Sequence, residues 1–131
     1  MIVDASALIA IVLGEDDADE LAGALDGERG RLFMSPVNYF ETWARIDRES
    51  NWAYREALVI VQDFYGIQLA PTSLEQAVIA KQARREYGRG TGHPAKLNMG
   101  DCFAYALAKT TREPLLFKGD DFVHTDVRSA L

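Results

Sequence analysis

The stretch that decides the fold is IVDASALIAIVL, residues 2–13. Ile2 and Val3 predict a short buried strand that ends abruptly at Asp4, and the part from Ser6 to Leu13 predicts a helix. Asp4 therefore stands at the carboxyl end of a strand. The stretch is shorter than the ~20 apolar residues that cross a bilayer, and it lacks the basic start of a signal peptide. We expect neither a leader nor a membrane-spanning segment from it.

The rest of the chain alternates between strand and helix signals. Three further apolar runs predict strands: Arg31 to Met34, Ile67 to Ala70 and Leu115 to Phe117. The helices are predicted at Asp16 to Leu25, from Ser35-Pro36 to about Arg48, at Asn51 to Tyr65, from a capping box Thr72-Ser73-Leu74-Glu75 toward Tyr87, and at Asp101 to Thr111. Strands that alternate with helices predict an α/β fold with a parallel sheet covered on both faces. Without linkers or repeats, residues 1–131 are predicted to form one domain.

The composition is that of an ordinary globular protein. Of the 131 residues, 48% are hydrophobic and 26% are charged, which excludes disorder as the default. The 14 basic and 20 acidic side chains give a net charge of −6, which argues against binding nucleic acid through bulk charge alone. Cys102 is the single cysteine, so one chain makes neither a disulfide nor a cysteine-built zinc site. This usage is typical of the reducing cytoplasm, where we expect the protein to be located.

Acidic residues stand where the predicted strands end. Asp4 ends the first strand, Asp101 opens an apolar helix, and Asp120 and Asp121 follow the last strand, while Glu41 lies on the helix after the second. Parallel sheets bind ligands beyond the carboxyl ends of their strands, and bare carboxylates that share a small site raise each other's pKa. Oxygen ligands without clustered His or Cys point to Mg²⁺ or Mn²⁺. Such ions activate water for in-line phosphoryl displacement.

Each acid also has a purely structural interpretation. Asp4 can cap a helix beside Ser6, and Glu41 can pair with Arg45 at i,i+4. Asp101 can form a capping arrangement with Asn98, and Asp120 and Asp121 can form a turn beside Gly119. Taken singly, the structural interpretation is favoured for every one of them. Their joint placement at strand ends favours a common site.

Four short motifs carry a resemblance to a known family. They are Val3-Asp4-Ala5-Ser6-Ala7-Leu8, the lone Glu41 within its helix, Gly100-Asp101 before an apolar helix, and Leu115-Leu116-Phe117-Lys118-Gly119-Asp120-Asp121-Phe122. In this order and spacing the chain resembles the PIN-domain nucleases over its whole length. Its size and motif order are similar to those of the VapC-type toxins of toxin–antitoxin pairs.

The resemblance implies a three-layer α/β/α sandwich and an endoribonuclease that depends on Mg²⁺ or Mn²⁺. It assigns catalytic and metal-binding roles to four acids: Asp4, Glu41, Asp101 and Asp120, with Asp121 as the alternative to Asp120. Ser6 matches a small hydroxyl position that supports the metal or its water. Many relatives have Thr or Ser two residues before the last acid, where this chain has Lys118 before Asp120. The implied partners are an RNA substrate, a cognate antitoxin protein and a second copy of the chain in a homodimer.

The charge is unevenly distributed along the chain. Residues 51–100 hold 6 bases and 4 acids, against 4 bases and 11 acids in residues 1–50. The bases that lead toward Asp101 are Lys81, Arg84, Arg85, Arg89 and Lys96. Arg84, Arg85, Arg89 and Lys96 are candidate substrate-binding residues, since such a stripe grips phosphates. The alternative is a solvated helix end whose cations suit the helix dipole.

Seven of the aromatic residues fall between positions 39 and 65: Tyr39, Phe40, Trp43, Trp52, Tyr54, Phe64 and Tyr65. We expect most of them to lie in the core and a minority to remain exposed as an interface with a partner.

Three other functions remain as alternatives. A PIN nuclease of RNA maturation has the same chemistry and differs only in its biological role. A phospho-receiver domain has paired acids after the first strand and an acid after the third, whereas here Asp4 stands alone and the third strand ends in Ala70-Pro71. An aspartyl-phosphate phosphatase has Asp two residues after its nucleophile, where this chain has Ser6.

Overall fold

The computed structural model describes residues 1–131 and contains one parallel sheet between two layers of helices. The strands are β1 (Ile2–Val3), β2 (Leu32–Met34), β3 (Ile67–Leu69) and β4 (Leu115–Leu116), in the order β3-β2-β1-β4. The helices are α1 (Ala5–Leu13), α2 (Ala18–Asp26), α3 (Pro36–Asp47), α4 (Trp52–Tyr65), α5 (Leu74–Tyr87) and α6 (Met99–Thr111), and a 3-10 turn follows at Phe122–His124. The predicted α/β class and parallel sheet are confirmed.

The two residues of β1 show how the sheet separates two cores. Val3 belongs to a core cluster that includes residues of α1 to α4, whereas Ile2 belongs to a second cluster built largely from α5 and α6. Successive side chains of a strand point to opposite faces, so the two helical layers lie on opposite sides of the sheet. In β4, Leu116 belongs to the first of these clusters and Leu115 belongs to the second. The α/β/α sandwich follows from this division.

Helix capping accounts for most of the boundaries, with two corrections. Ser35 caps α3 by accepting a hydrogen bond from the Asn38 backbone N–H at 3.1 Å, as the Ser-Pro signal predicts. The capping box predicted at Thr72-Ser73-Leu74-Glu75 is wrong by one residue, because Ser73 is the cap and its partner is Gln76. Helix α6 starts at Met99, two residues before the predicted start, because Asn98 caps it.

The aromatic residues of α3 and α4 divide between the core and the surface. Tyr65 is buried, and Tyr39, Trp43 and Tyr54 pack against the same core as Val3. Phe40, Trp52 and Phe64 are 72%, 69% and 56% exposed. The expectation that most of these rings are core residues is confirmed. None of the helices combines the length and the apolar character that a membrane span requires.

Candidate metal centre

Four carboxylates meet at the carboxyl edge of the sheet, in a cavity of about 160 Å³. The acids that line it are Asp4, Glu41, Asp101 and Asp121. Three other polar residues line it as well: Ser6, Asn98 and Lys118. Asp120 does not line the cavity and lies exposed on the turn before Asp121. The structure therefore brings together three of the four acids chosen from the sequence, and it places the alternative, Asp121, in the fourth position.

Asp4 is held rigidly although it carries no counter-ion. It caps α1, and its Oδ2 accepts hydrogen bonds from the Ser6 backbone N–H at 2.9 Å and the Ser6 hydroxyl at 2.6 Å. Its Oδ1 accepts a hydrogen bond at 2.9 Å from Asn38 Nδ2. Burial raises the pKa of Asp4 against the lowering effect of the Ser6 hydrogen bonds. The capping role predicted for Asp4 is confirmed, and it coexists with a place in the site.

Asn38 is a site residue that the sequence did not indicate. Its side chain is fully buried, and its Nδ2 donates both to Asp4 and, at 3.2 Å, to the backbone oxygen of Gly100. Its Oδ1 accepts a hydrogen bond from the Ser35 hydroxyl. Asn38 thereby ties α3 to the end of β1 and to the first turn of α6. Its position one turn before Glu41 is the only sequence signal that points to it.

Ser6 and Lys118 connect the first motif to the last. The Lys118 backbone N–H donates a 3.0 Å hydrogen bond to the Ser6 hydroxyl, which itself donates to Asp4. The Lys118 ammonium pairs with Glu15 and with Asp17, the latter at 2.7 Å. The charge of Lys118 is thus neutralised by the segment between α1 and α2. The backbone of Lys118 supports Ser6.

Asp101 caps its own helix and faces the other acids at the same time. Its Oδ2 accepts a 2.7 Å hydrogen bond from the Asn98 backbone N–H, and its own N–H donates to Asn98 Oδ1 at 2.9 Å. Only 7% of Asp101 is exposed. Burial and the nearby charge of Asp4 raise the pKa of Asp101 to about 7. The predicted capping arrangement is confirmed, and the acid still lines the cavity.

Glu41 reaches the cavity because residue 100 is glycine. A Cβ at Gly100 would overlap the Glu41 carboxylate at Oε2 and would also crowd Asn98 Oδ1 at 3.2 Å. Burial and the charge of Asp4 raise the pKa of Glu41, and a hydrogen bond from Asn98 lowers it. The alternative pair with Arg45 does not form, since Arg45 pairs with Glu49. The motif Gly100-Asp101 therefore supplies space for one acid and provides another.

Asp121 interacts electrostatically with the site, unlike Asp120. Its charge raises the pKa of both Asp4 and Asp101. The turn is fixed by Gly119 at φ +95°, a conformation that favours glycine, and by the buried ring of Phe122 that follows. Asp121 and Phe122 both line the cavity, and Asp121 itself is exposed to solvent there.

The cavity fits a hard divalent cation by its donor chemistry. All four acids offer oxygen, and the one lysine that lines the cavity is already paired with Glu15 and Asp17. No three His, Cys, Asp or Glu side chains stand close enough together to hold an ion by themselves. Mg²⁺ keeps several of its waters and commonly binds through one or two carboxylates, so a tight three-ligand cluster is not required. Burial first, and repulsion by the neighbouring acids second, raise the pKa values of Asp4, Glu41 and Asp101, and a bound cation would offset both effects.

The candidate substrate-binding bases lie outside this cavity. Arg84 lines a separate cavity between α5 and α6. Arg85 is exposed, and Arg89 Nε donates a 3.2 Å hydrogen bond to the Lys96 backbone oxygen. His93 accepts a hydrogen bond from the Ala95 N–H and packs edge-on against Tyr87, which indicates a structural role in the loop.

The fold and the acidic cavity agree with the comparisons to known proteins. The profile of the PIN domain family matches residues 1–128. The chain therefore belongs to the PIN-domain family, and its curated relatives place it among the VapC ribonucleases. Ribonuclease VapC42 of Mycobacterium tuberculosis is 48% identical over 130 residues, which are 99% of this chain and 98% of that protein. Ribonuclease VapC28 of the same organism is 44% identical over 131 residues, 100% of this chain and 98% of that one.

A solved structure shares the fold at low sequence identity. It is M. tuberculosis VapC20, described as a toxin that cleaves the sarcin–ricin loop, with a TM-score of 0.73 and 15% identity over 96% of this chain and 95% of that chain. At this identity the likeness concerns the fold alone. Family membership sets aside the phospho-receiver and phosphatase alternatives.

Proposed function

We propose that the protein is a metal-dependent endoribonuclease toxin in which Asp4, Glu41, Asp101 and Asp121 form the metal site. The observation that carries this proposal is the meeting of four carboxylates in one cavity with no free cation among them. Asp121 takes the fourth place instead of Asp120 because it alone of the two lines the cavity. Mg²⁺ or Mn²⁺ is the cofactor that suits an all-oxygen donor set.

The chain's own residues prepare the acids for this task. Ser6 and Asn38 fix the two oxygens of Asp4 by hydrogen bonds, and Asn98 fixes one oxygen of Asp101. A carboxylate oxygen has two lone pairs, so each of these acids keeps acceptor capacity toward the cavity. A divalent cation, when bound, supplies an activated water and stabilises charge on the phosphodiester being cleaved. Preorganised ligands reduce the reorganisation that such chemistry requires.

The relatives' name VapC supports a toxin that pairs with an antitoxin protein. The exposed rings of Trp52 and Phe64 provide apolar surface on α4 for protein partners, which include a second copy of the chain. We place the protein in the cytoplasm, where RNA is available. A role in RNA maturation would use the same chemistry, so the decisive test is biological. Expression of the chain alone should arrest growth, and co-expression with the product of a small adjacent gene should restore it.

The biochemical test uses two neighbouring acids as a matched pair. Asp121→Asn should reduce Mg²⁺-dependent cleavage of a labelled RNA by at least about 100-fold, because it removes one of the four acids that would hold the metal. Asp120→Asn removes the same charge one residue away and should cleave like the wild type. Equal activity of the two variants would contradict the assignment of the fourth acid. RNA cleavage by the wild type that persists in excess EDTA would contradict the metal mechanism itself.

A further inference from the structure

Two open cavities extend the carboxylate cavity along the first turn of α6. One has a volume of about 440 Å³, lies between α3 and the start of α6, and shares Glu41 and Asn98 with the carboxylate cavity. The other, of about 310 Å³, lies between α5 and α6 and shares Met99 with the first. The two neighbouring cavities are here together called the α6 groove, which adjoins the carboxylate cavity at Glu41 and Asn98.

The α6 groove is lined by cations that have no partner within the chain. They are Arg48 at the end of α3 and Lys81 and Arg84 on α5. None of the three forms a salt bridge. Six of the chain's 14 Lys and Arg side chains do, and the other five that do not lie outside the groove: Arg85, Arg89, Lys96, Arg112 and Arg128. Glu41, at the junction with the metal site, is the one acid that lines the groove. In a protein of net charge −6, this concentration of unpaired positive charge suits an anionic ligand.

The groove also carries exposed apolar surface beside the metal site. Phe40 is 72% exposed and Met99 is 69% exposed, and both line the cavity between α3 and α6. Phe40 directly precedes Glu41 on α3, so an aromatic ring stands next to a candidate metal ligand. An exposed ring with basic neighbours is the usual platform on which proteins stack unpaired nucleic-acid bases.

We propose that the α6 groove binds a single-stranded segment of the RNA substrate. The phosphates contact Arg48, Lys81 and Arg84, and an unpaired base next to the scissile phosphate stacks on Phe40. The strand is single because a paired base is not available to stack on a side chain. This assignment rests on the proposed ribonuclease function. Within the basic segment from Lys81 to Lys96, it gives phosphate contacts to Lys81 and Arg84 and not to Arg85, Arg89 or Lys96.

The first test compares two double variants in the segment from the middle of α5 to the loop just after it. Lys81→Ala with Arg84→Ala removes two cations that line the groove, and Arg85→Ala with Arg89→Ala removes two that do not. Binding of a labelled single-stranded RNA is measured by fluorescence anisotropy across a salt series, with Asp101→Asn present in every protein to prevent cleavage. The groove variant should bind at least about 10-fold more weakly and should flatten the slope of log Kd against log salt by about 1.4, or ~0.7 for each phosphate contact. The control should keep the parental slope, and equal losses in the two variants would overturn the proposal.

The second test examines stacking at Phe40. Phe40→Leu keeps an apolar side chain and loses the ring, so the KM for RNA should rise about 10-fold, in line with the ~1–3 kcal/mol of a base stacked on an aromatic ring. Phe40→Trp should restore the wild-type KM. Affinity for Mn²⁺, measured by calorimetry, should be the same in all three proteins because Phe40 does not line the carboxylate cavity. If Phe40→Leu and the wild type had the same KM for RNA, the stacking contact would be overturned.

Two controls separate this proposal from others. If the wild-type protein neither binds Mn²⁺ nor cleaves RNA, the proposed function is contradicted. If the wild type cleaves RNA normally and the groove and control variants bind RNA equally well, only the assignment of the groove is contradicted. If Phe40→Leu and the Lys81 and Arg84 variants change the molecular mass in light scattering without changing RNA affinity, the groove is a contact between copies of the chain and the proposal fails. Equal affinity for a fully paired RNA duplex would likewise overturn it.

Discussion

Helix α6 organises two acids in opposite ways. At its first turn Asp101 is buried beside Asp4 and has no basic partner, and its pKa rises to about 7. Further along, Lys109 and Tyr105 hold Asp126 of the C-terminal segment through bonds of 2.8 Å and 2.6 Å, and they lower its pKa. One carboxylate thus lacks a counter-charge and the other has one.

The difference separates a structural acid from a functional one. A buried carboxylate without a counter-charge reduces stability, and such an arrangement is typical of sites that bind a ligand of the missing charge. Asp126 has its cation within the chain, and it fastens the residues after β4 to α6. Both residues are acids near a helix, so residue type alone does not distinguish them. The charge of their surroundings does.

The largest expected effect comes from removing the charge of Asp101. Asp101→Asn keeps a side-chain oxygen for the Asn98 N–H, so the cap of α6 and the fold should persist. The variant loses one acid of the proposed metal site, and because a bound cation contributes several kcal/mol to catalysis, cleavage should fall by at least about 1,000-fold. RNA cleavage in Mg²⁺ and circular dichroism measure the two properties. A folded Asp101→Asn protein with wild-type activity would contradict the metal site.

A smaller effect is expected from Gly100→Ala, which tests geometry without changing charge. The new methyl group occupies the space of the Glu41 carboxylate, and since that side chain is flexible it should move away from the cavity. Cleavage should fall about 10- to 100-fold, whereas the free energy of unfolding should stay equal or rise by up to about 1 kcal/mol, because Ala is the better helix former.

Gly23→Ala is the matched control for this substitution. Gly23 lies within α2, and a Cβ there would meet no atom within 4 Å. The control should show a similar gain in stability with unchanged cleavage. If Gly100→Ala also retained full activity, the position of Glu41 beside Gly100 would not matter for catalysis.

These positions show how far the sequence determines the site. Asp4 and Asp101 were predictable because each stands at a boundary between a strand or loop and a helix, and local patterns mark such boundaries. Asn38 was not predictable, because its two hydrogen bonds cross to β1 and to α6 and depend on how the layers pack. The choice between Asp120 and Asp121 depended on which residue of the turn lines the cavity, and no local pattern distinguishes two adjacent acids of one turn.

A further prediction concerns the pH dependence of the metal-free protein. Because the folded-state pKa of Asp101 is about 7 against its usual value of 3.8, the folded state holds more protons than the unfolded state between about pH 4 and 7. Stability without metal should therefore fall as the pH rises through that range. Thermal melts in EDTA at pH 5 and pH 7.5 should show a Tm that is several degrees lower at the higher pH.

The variant Asp101→Asn identifies the source of this pH dependence. It removes the titrating group, so its Tm in EDTA should change less between the two pH values and should exceed that of the wild type at pH 7.5. Added Mg²⁺ should raise the Tm of the wild type more than that of the variant, because ligands that bind only the folded state stabilise it. An unchanged pH profile in the variant would show that another group causes the loss.

The smallest expected effect is at Asp126, and it has the opposite pH dependence. Asp126→Asn loses the ion pair with Lys109, which is largely exposed, so the free energy of unfolding should fall by only about 0.5–1 kcal/mol at pH 6. Since the folded-state pKa of Asp126 lies below its usual value, the wild type's advantage should be complete above about pH 4 and should disappear as the pH falls through that lowered pKa. Urea unfolding at pH 6 and pH 3 measures it. Affinity for Mn²⁺ and cleavage of RNA should be unchanged, because Asp126 contributes to stability alone, and a loss of either would place it in the functional site.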